Sequence, residues 1–417
     1  MNRRHFLKTA TSGAAVGLLA SCSSQAETPA NAGQQPRSTD VLSAGTTHRS
    51  DPTSALYPFR SQHQAGVLAP PSNHAVAAAF DLGATDQSEL QDLFLTLSRT
   101  CEHLMSGEPF EVRDGGFPPA DTGLLGPVPG PTGTAVVIGF GASLFDDRFG
   151  LMSRSPTQLR PMDRFANDQM VTSEASDGDL MVLITADNRD AAVHALRQIM
   201  RDTRGALRPR WVQMGNNTPI KDRVTGGAPM RNLLGFKDGT ANPDASDSAA
   251  MSKVVWVQGD DDEPAWTVDG TYLVVRVIRT LTEFWDRTRL SEQERIFGRR
   301  RDTGAPLGKA GELDEPEFGT HQDSHIARAN PRTAGSDRNL ILRKGYNYVG
   351  GLDSNGQLDQ GLLFTCFQRR LDDGFVAVQR RLDGEALEEY IRPVGGGYFF
   401  VPPAPRGREF LGEALFS

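Results

Sequence analysis

The order in which apolar periodicities succeed one another constrains this chain most, because it runs through the same plan twice. In the first half, residues 74–82 read as a strand, and residues 87–105 carry Leu90, Leu93, Phe94 and Leu97 at helical spacing. Strands follow at 134–140 and 180–185, then a helix at 190–202 with Ala192, Leu196 and Ile199 on one face. The second half offers strand 272–278, helix 281–297, strand 361–367, helix 374–382 and strand 398–401, with Ser291 a point of interruption or re-capping in the first helix. At 417 residues the chain exceeds one ordinary domain. Two βα-rich halves, 55–220 and 221–417, therefore predict a duplicated ferredoxin-like α+β fold with antiparallel sheets. Between them, residues 216–269 are long, irregular and rich in Gly and Pro, as functional segments inside compact domains often are.

Charge and cysteine content remove several function classes. Lys and Arg total 44 against 52 acids, a net charge of −8, so a nucleic-acid partner lacks its basic surface. No apolar run reaches the roughly 20 residues that a membrane-spanning helix needs. Cys22, Cys101 and Cys366 are too few for a disulfide framework, and no pair has metal-ligand spacing. The first residues read as an address: Arg3-Arg4-His5-Phe6-Leu7-Lys8, a weakly apolar stretch, then small residues. The arginine pair resembles a twin-arginine export signal over residues 1–21, which implies a periplasmic or cell-surface protein. Leu19-Ala20-Ser21-Cys22 has the form of a lipobox that would lipidate Cys22, and Ser24-Gln25-Ala26 that of a cleavage site releasing a soluble protein. Residues 22–54, rich in Ser, Thr, Ala, Gln and Pro, read as a flexible linker.

Four short runs could carry chemistry. Gly235-Phe236-Lys237-Asp238-Gly239-Thr240-Ala241-Asn242-Pro243 combines turn formers with glycines that let backbone lie against a flat ligand while Asp238 projects. Asp323-Ser324-His325-Ile326 holds a histidine four positions after His321, a spacing that zinc sites use on helices, but without the glutamate of hydrolytic sites. Leu340-Ile341-Leu342-Arg343-Lys344-Gly345-Tyr346-Asn347-Tyr348 places an arginine on a strand pattern, as an edge charge or a buried cation awaiting an anion. Leu387-Glu388-Glu389-Tyr390 leads into Gly395-Gly396-Gly397-Tyr398-Phe399-Phe400.

In this order and company the four runs resemble the dye-decolorizing peroxidases over residues 55–415, and most of all their exported Efe-type branch of deferrochelatase/peroxidases. The resemblance implies a dimeric α+β barrel repeated within one chain, with one haem b held mainly by the C-terminal half. It implies a peroxidase that oxidises dyes, phenols or other reductants with hydrogen peroxide, linked to iron uptake, and it admits a homodimer and other Efe components as partners. The branch's alternative activity is release of iron from haem with the porphyrin intact. A third reading is a non-catalytic haem- or iron-binding component of an uptake complex. Residue by residue, His325 matches the proximal iron ligand, Asp238 the distal acid and Arg343 the distal arginine. Gly235, Phe236, Lys237, Gly239 and Thr240 belong to the motif that holds the cofactor, and Phe364 matches a residue lining the distal face. Glu389 is the match for the acid behind the proximal histidine, with Glu388 adjacent. The distal asparagine of some branches falls where Gly345 stands.

These residue types suit the reaction the resemblance implies. A carboxylate on one nitrogen of His325 would fix its tautomer and raise the basicity of the other. Asp238 could take a proton from one peroxide oxygen and return it to the leaving one, while Arg343 would stabilise the developing hydroxide.

Overall fold

The computed structural model describes residues 55–219 and 230–417, which lie in a single compact unit. The expected export signal, the linker and the junction at 220/221 lie outside the described residues. The N-terminal half runs β1 (His74–Leu82), α1 (Gln87–Ser106), β2 (Ala135–Gly141), β3 (Leu180–Ala186), α2 (Arg189–Asp202) and β4 (Leu207–Asn216). After the short α3 (Ser248–Val254), the C-terminal half runs β5 (Thr271–Thr280), α4 (Thr282–Trp285), α5 (Leu290–Phe297) and α6 (His325–Ala329). It continues with β6 (Leu342–Leu352), β7 (Leu358–Gln368), α7 (Ala377–Leu382) and β8 (Ile391–Val401).

The strands form one closed barrel in the order β1-β3-β2-β8-β5-β7-β6-β4. Within it, β4-β1-β3-β2 and β8-β5-β7-β6 are the same four-strand ferredoxin-like sheet written twice. Two thin seams join them: Phe140↔Phe400 and Gly141↔Phe399 on one side, Asn216↔Asn347 on the other. Closure buries the inner face of the strands and the N-terminal helices cover the outer face of β1, which explains why its residues 75–80 are an unbroken apolar run. Its Ala75, Ala77 and Ala79 face the barrel interior with Tyr346, Tyr348, Phe367 and Phe399. Val76, Phe80 and Leu82 face outward, beneath Leu90, Phe94 and Leu97 of α1 and Ala192 and Ile199 of α2.

The N-terminal helices are long and locally specified. Asp86 caps α1 by accepting from the Glu89 N–H at 2.9 Å, and the Glu89 carboxylate accepts in turn from Thr85 N at 2.8 Å. Asn188 caps α2 through the Ala191 N–H at 2.7 Å. The C-terminal half covers its sheet differently, with α4, α5, α6 and α7 all short and separated by irregular chain. The helix expected over 281–297 is observed as two, Thr282–Trp285 and Leu290–Phe297, with Ser291 inside the second and not at the break. It breaks after Trp285 because the Gln293 side-chain amide donates to the carbonyls of Trp285 (2.8 Å) and Thr288 (3.1 Å), satisfying a chain reversal ahead of α5. Such a broken layer leaves a cavity between itself and the sheet.

Candidate functional site

The cavity, of about 260 Å³, is walled on one side by outward-facing sheet residues and on the other by the helical layer. Strand alternation decides which side chains enter it. On β6, Leu342, Lys344 and Tyr346 are buried on the barrel side, and Arg343 lines the cavity. On β7, Leu363 is interior, and Leu362 and Phe364 line the cavity. Arg276, Ile278 and Thr280 come from β5. The helical wall contributes Phe297 of α5, His325, Ile326 and Ala329 of α6, and Val378 and Leu382 of α7.

His325 is the first residue of α6, and its Nδ1 lies 2.8 Å from Glu385 Oε2 and 3.1 Å from Oε1. The Glu385 side chain is 3% exposed, so its charge is poorly screened. Burial lowers the imidazole pKa, but the charge of Glu385 and its hydrogen bond outweigh that and leave it raised. With Nδ1–H donated to this carboxylate, the lone pair of the neutral ring sits on Nε2. Glu385, and not Glu389, is therefore the acid behind His325. Glu389 is exposed at the end of a turn, and Glu388 lines the cavity without reaching the histidine.

Asp238 and Arg343 meet on the sheet side, with Oδ1 and Nε 3.6 Å apart. Gly345 makes room for this: a Cβ there would lie 3.1 Å from Asp238 Oδ2 and 3.2 Å from Leu362. Arg343 is braced through its own backbone, since Asn242 Nδ2 donates to its carbonyl at 2.6 Å and Asn242 Oδ1 accepts from its N–H at 3.2 Å. The motif of residues 235–243 thus supplies both the acid and the clamp on the arginine.

The other expected motif residues divide. Phe236 lines the cavity and stacks on Phe297, ring centroids 4.0 Å apart. Lys237 and Thr240 also border it, but their polar ends turn to Glu312; Thr240 Oγ1 donates to Oε1 at 2.8 Å, and Lys237 Nζ pairs with Oε2. Burial would raise the Glu312 pKa, yet these bonds and the lysine charge hold it low. Gly235 and Gly239 do not line the cavity; with φ of 89° and 93° they supply the left-handed turns around the motif. His321 precedes α6 and so does not share a helix face with His325, and no group of three or more His, Cys, Asp or Glu able to hold a metal ion occurs among the described residues.

Sequence reasoning missed Glu385, Asn242 as a clamp, Glu312 and a cluster of cavity-lining arginines. Arg299 is buried, its Nη1 donating to the carbonyls of Gly304 (2.6 Å) and Glu312 (2.9 Å). Burial and the nearby Arg332 lower its pKa. Arg300 and Arg332 also line the space. The N-terminal half contributes Asn167, whose Nδ2 donates to the Ile391 carbonyl at 3.0 Å and whose Oδ1 accepts from Arg392 at 3.2 Å; its neighbour Asp168 has Oδ1 2.5 Å from Arg276 Nη2 in an ion pair 2% exposed on both sides.

Two family models match consecutive stretches of the chain. The family description "Dyp-type peroxidase, N-terminal" matches residues 64–217, and "Dyp-type peroxidase, C-terminal" matches residues 229–406. The chain is 44% identical to the deferrochelatase of Escherichia coli K12 over 382 residues, 89% of this chain and 90% of that one. It is 46% identical to that of E. coli O157:H7 over 367 residues, 86% of each. Among solved structures it is similar to a DyP-type peroxidase from Cellulomonas bogoriensis, with a TM-score of 0.79, 32% identity, and coverage of 88% of this chain and all of that one. The ferric DtpA of Streptomyces lividans gives a TM-score of 0.77 at 34% identity, again covering 88% and 100%.

Proposed function

The chain belongs to the Dyp-type peroxidase family, and from that membership we propose residue roles for a haem peroxidase of the Efe type. The observation that carries the reading is one cavity containing an imidazole backed by a buried carboxylate and, from the sheet, a carboxylate beside a guanidinium. This donor set fits haem. His325 Nε2 has the free lone pair that iron needs, apolar side chains such as Leu362, Phe364 and Ile326 suit a porphyrin face, and Arg299, Arg300 and Arg332 suit its two carboxylates. When bound, haem supplies the redox chemistry that hydrogen peroxide drives.

The chain's own residues do the rest. His325 would hold the iron through Nε2, and Glu385 holds its ring in one tautomer and raises the basicity of that nitrogen. Asp238 would receive a proton from one peroxide oxygen and deliver it to the other, which leaves as the O–O bond breaks. Arg343, held by Asn242, stabilises the negative charge that develops on the departing oxygen. A reductant of dye or phenol type would supply the two electrons that reduction of hydrogen peroxide to water consumes. The direct test is the absorption spectrum of the purified protein with haemin, before and after peroxide. A Soret band that shifts on peroxide, and is lost in His325→Ala, is the expected result; a protein that stays colourless with haemin refutes it.

The relatives named deferrochelatase favour a second reading, in which the same cavity releases iron and leaves the porphyrin whole. Fluorescence of metal-free porphyrin after incubation with haem would support it. The Arg3-Arg4 start and the Leu19–Cys22 run support export by the twin-arginine route with a lipid on Cys22. Fractionation of cells carrying Cys22→Ser, which should release the protein from the membrane fraction, tests that. Similarity to the Efe branch also supports a homodimer working beside other uptake components, for which size-exclusion mass and co-purification are the measurements.

A further inference from the structure

A second concavity, of about 900 Å³, lies in the N-terminal half and shares no residue with the cavity of His325. Arg197, Arg201 and Arg204 stand at one-turn spacings along the end of α2 and just beyond it, so they share a face. Arg113 reaches the same space from the irregular segment between α1 and β2. Asp121 is the one acidic residue in its lining, within a chain whose net charge is −8.

The C-terminus of a helix attracts cations, which accounts for Arg201 and Arg204 on structural grounds alone. It does not account for Arg113, which belongs to no helix, nor for Arg197, one turn further back. Among the described residues no carboxylate lies within ion-pair distance of Arg113, Arg197 or Arg204. Arg201 is oriented by donating to the carbonyls of Asp121 (2.8 Å) and Pro119. The rest of the wall is mostly apolar, formed by Pro118, Pro119, Met200 and Leu207 with Thr122 and Gly205, and Phe117, next in sequence to Pro118, is 67% exposed.

Charge and wall together specify the ligand. Forked guanidinium donors from two directions match a molecule with at least two carboxylate or sulfonate groups. The apolar wall matches a flat or aliphatic body between them, and the volume falls within the roughly 300–1,000 Å³ of small-molecule sites. We propose that this cleft is a binding site for small organic polyanions with an apolar body, separate from the peroxidase cavity.

The test is calorimetric titration of the haem-loaded full chain with naphthalene-1,5-disulfonate, in low salt and at about 0.2 M NaCl, where exposed charges are largely screened. Expected are one site per chain, weaker binding in the higher salt, and at least a tenfold loss in the double variant Arg113→Ser/Arg197→Ser. The control Arg208→Ser, an exposed arginine of β4 outside the cleft, should leave affinity unchanged. Because the arginines are exposed, the variants should keep the wild-type Soret band, which separates loss of this site from loss of the haem site. Absence of binding, equal affinity in the double variant, or inorganic sulfate binding as tightly as the disulfonate at equal ionic strength would each overturn the proposal; the last would show that the apolar wall contributes nothing.

Discussion

Replacing Glu385 by Gln isolates the charge behind the histidine while keeping an acceptor for its Nδ1–H. In the native protein that acceptor is a carboxylate only 3% exposed, 2.8 Å from the ring nitrogen. A hydrogen bond to a charged group is worth about 1.5–3 kcal/mol, against about 1 for a neutral one. The amide variant therefore forfeits about 1 kcal/mol or somewhat more of support for the ligating imidazole, and Glu385→Ala forfeits the whole interaction. At about 1.4 kcal/mol per factor of ten, haem should leave the amide variant roughly tenfold faster and the alanine variant up to about 100-fold faster, the span usual for partners of metal-binding histidines. The assay is transfer of haem to an excess of apomyoglobin, followed in the Soret band.

The pH dependence adds a second readout of the same substitution. Glu385 raises the His325 pKa against the lowering effect of burial. Without the carboxylate, burial dominates and the ring stays neutral to lower pH. Protonation occupies Nε2 and competes with iron, so in the native protein acid weakens haem binding as pH falls through the raised pKa. In Glu385→Gln that onset moves to more acid pH, and the difference between the two proteins narrows on acidification. Glu389→Gln should change neither rate nor onset, because Glu389 is exposed and does not reach the ring. The reasoning fails if haem loss is unchanged in both Glu385 variants, or if Glu389→Gln reproduces their effect.

Asp238→Asn and Arg343→Leu should retain haem yet slow the reaction with peroxide by about 100-fold or more, the usual yield of a positioned proton-transfer or charge-stabilising group; stopped-flow absorbance at varied peroxide measures it. Asn242→Ala removes both bonds that hold the Arg343 backbone and should give a milder form of the Arg343 defect, with the Soret band of the resting protein unchanged. Asp168→Asn leaves the Arg276 guanidinium buried without its anion, a loss of about 3–5 kcal/mol in denaturant unfolding. Lys344 points into the barrel, where Nζ donates to the carbonyls of Gly66 (2.8 Å) and Ala69 (2.6 Å), and burial lowers its pKa to about 7. A lysine in the unfolded chain titrates near 10.4, so between about 7 and 10.4 the unfolded state binds more protons and stability rises with pH. Lys344→Met should flatten that rise, and equal slopes in the two proteins would show that the two carbonyls hold the ammonium charged.

The strands visible in the sequence were those buried on both faces. β1, β3 and the middle of β7 are continuous apolar runs, and their observed limits lie within a few residues of the expected ones. β4 was invisible because it reads Leu-Arg-Pro-Arg-Trp-Val-Gln-Met-Gly-Asn, mostly solvent-facing, with a register shift where Pro209 sits opposite Phe80. Its place comes from pairing with β1 along nearly its whole length, a long-range contact that local composition does not encode. The start of β8 was hidden for a related reason: Pro393 and the glycines at 395–397 read as loop, yet Gly396 must be glycine, since φ is 134° and a Cβ would meet the Val275 carbonyl at 2.0 Å.

At the cavity, the same distinction separates what was legible from what was not. His325, Asp238 and Arg343 could be named because each sits in a run whose neighbours form a recognisable pattern, and the structure brings all three to one space. Glu385 could not, because its role depends on a meeting with a residue 60 positions away. In sequence it follows Asp383-Gly384, a turn signal, and precedes two glutamates that look like better candidates. The choice is made by the short turn over Ala386–Glu389: its start leaves Glu385 pointing beneath α6, and its end carries Glu389 to the surface. A one-residue deletion ahead of that turn, at Asp383 or Gly384, should draw Glu385 out of reach of His325 without bringing Glu388 or Glu389 to it, which haem transfer would register as faster loss. Changes in this segment should therefore register in haem retention more than in denaturant unfolding, and the reverse order would show that Glu385 serves the fold and not the cofactor.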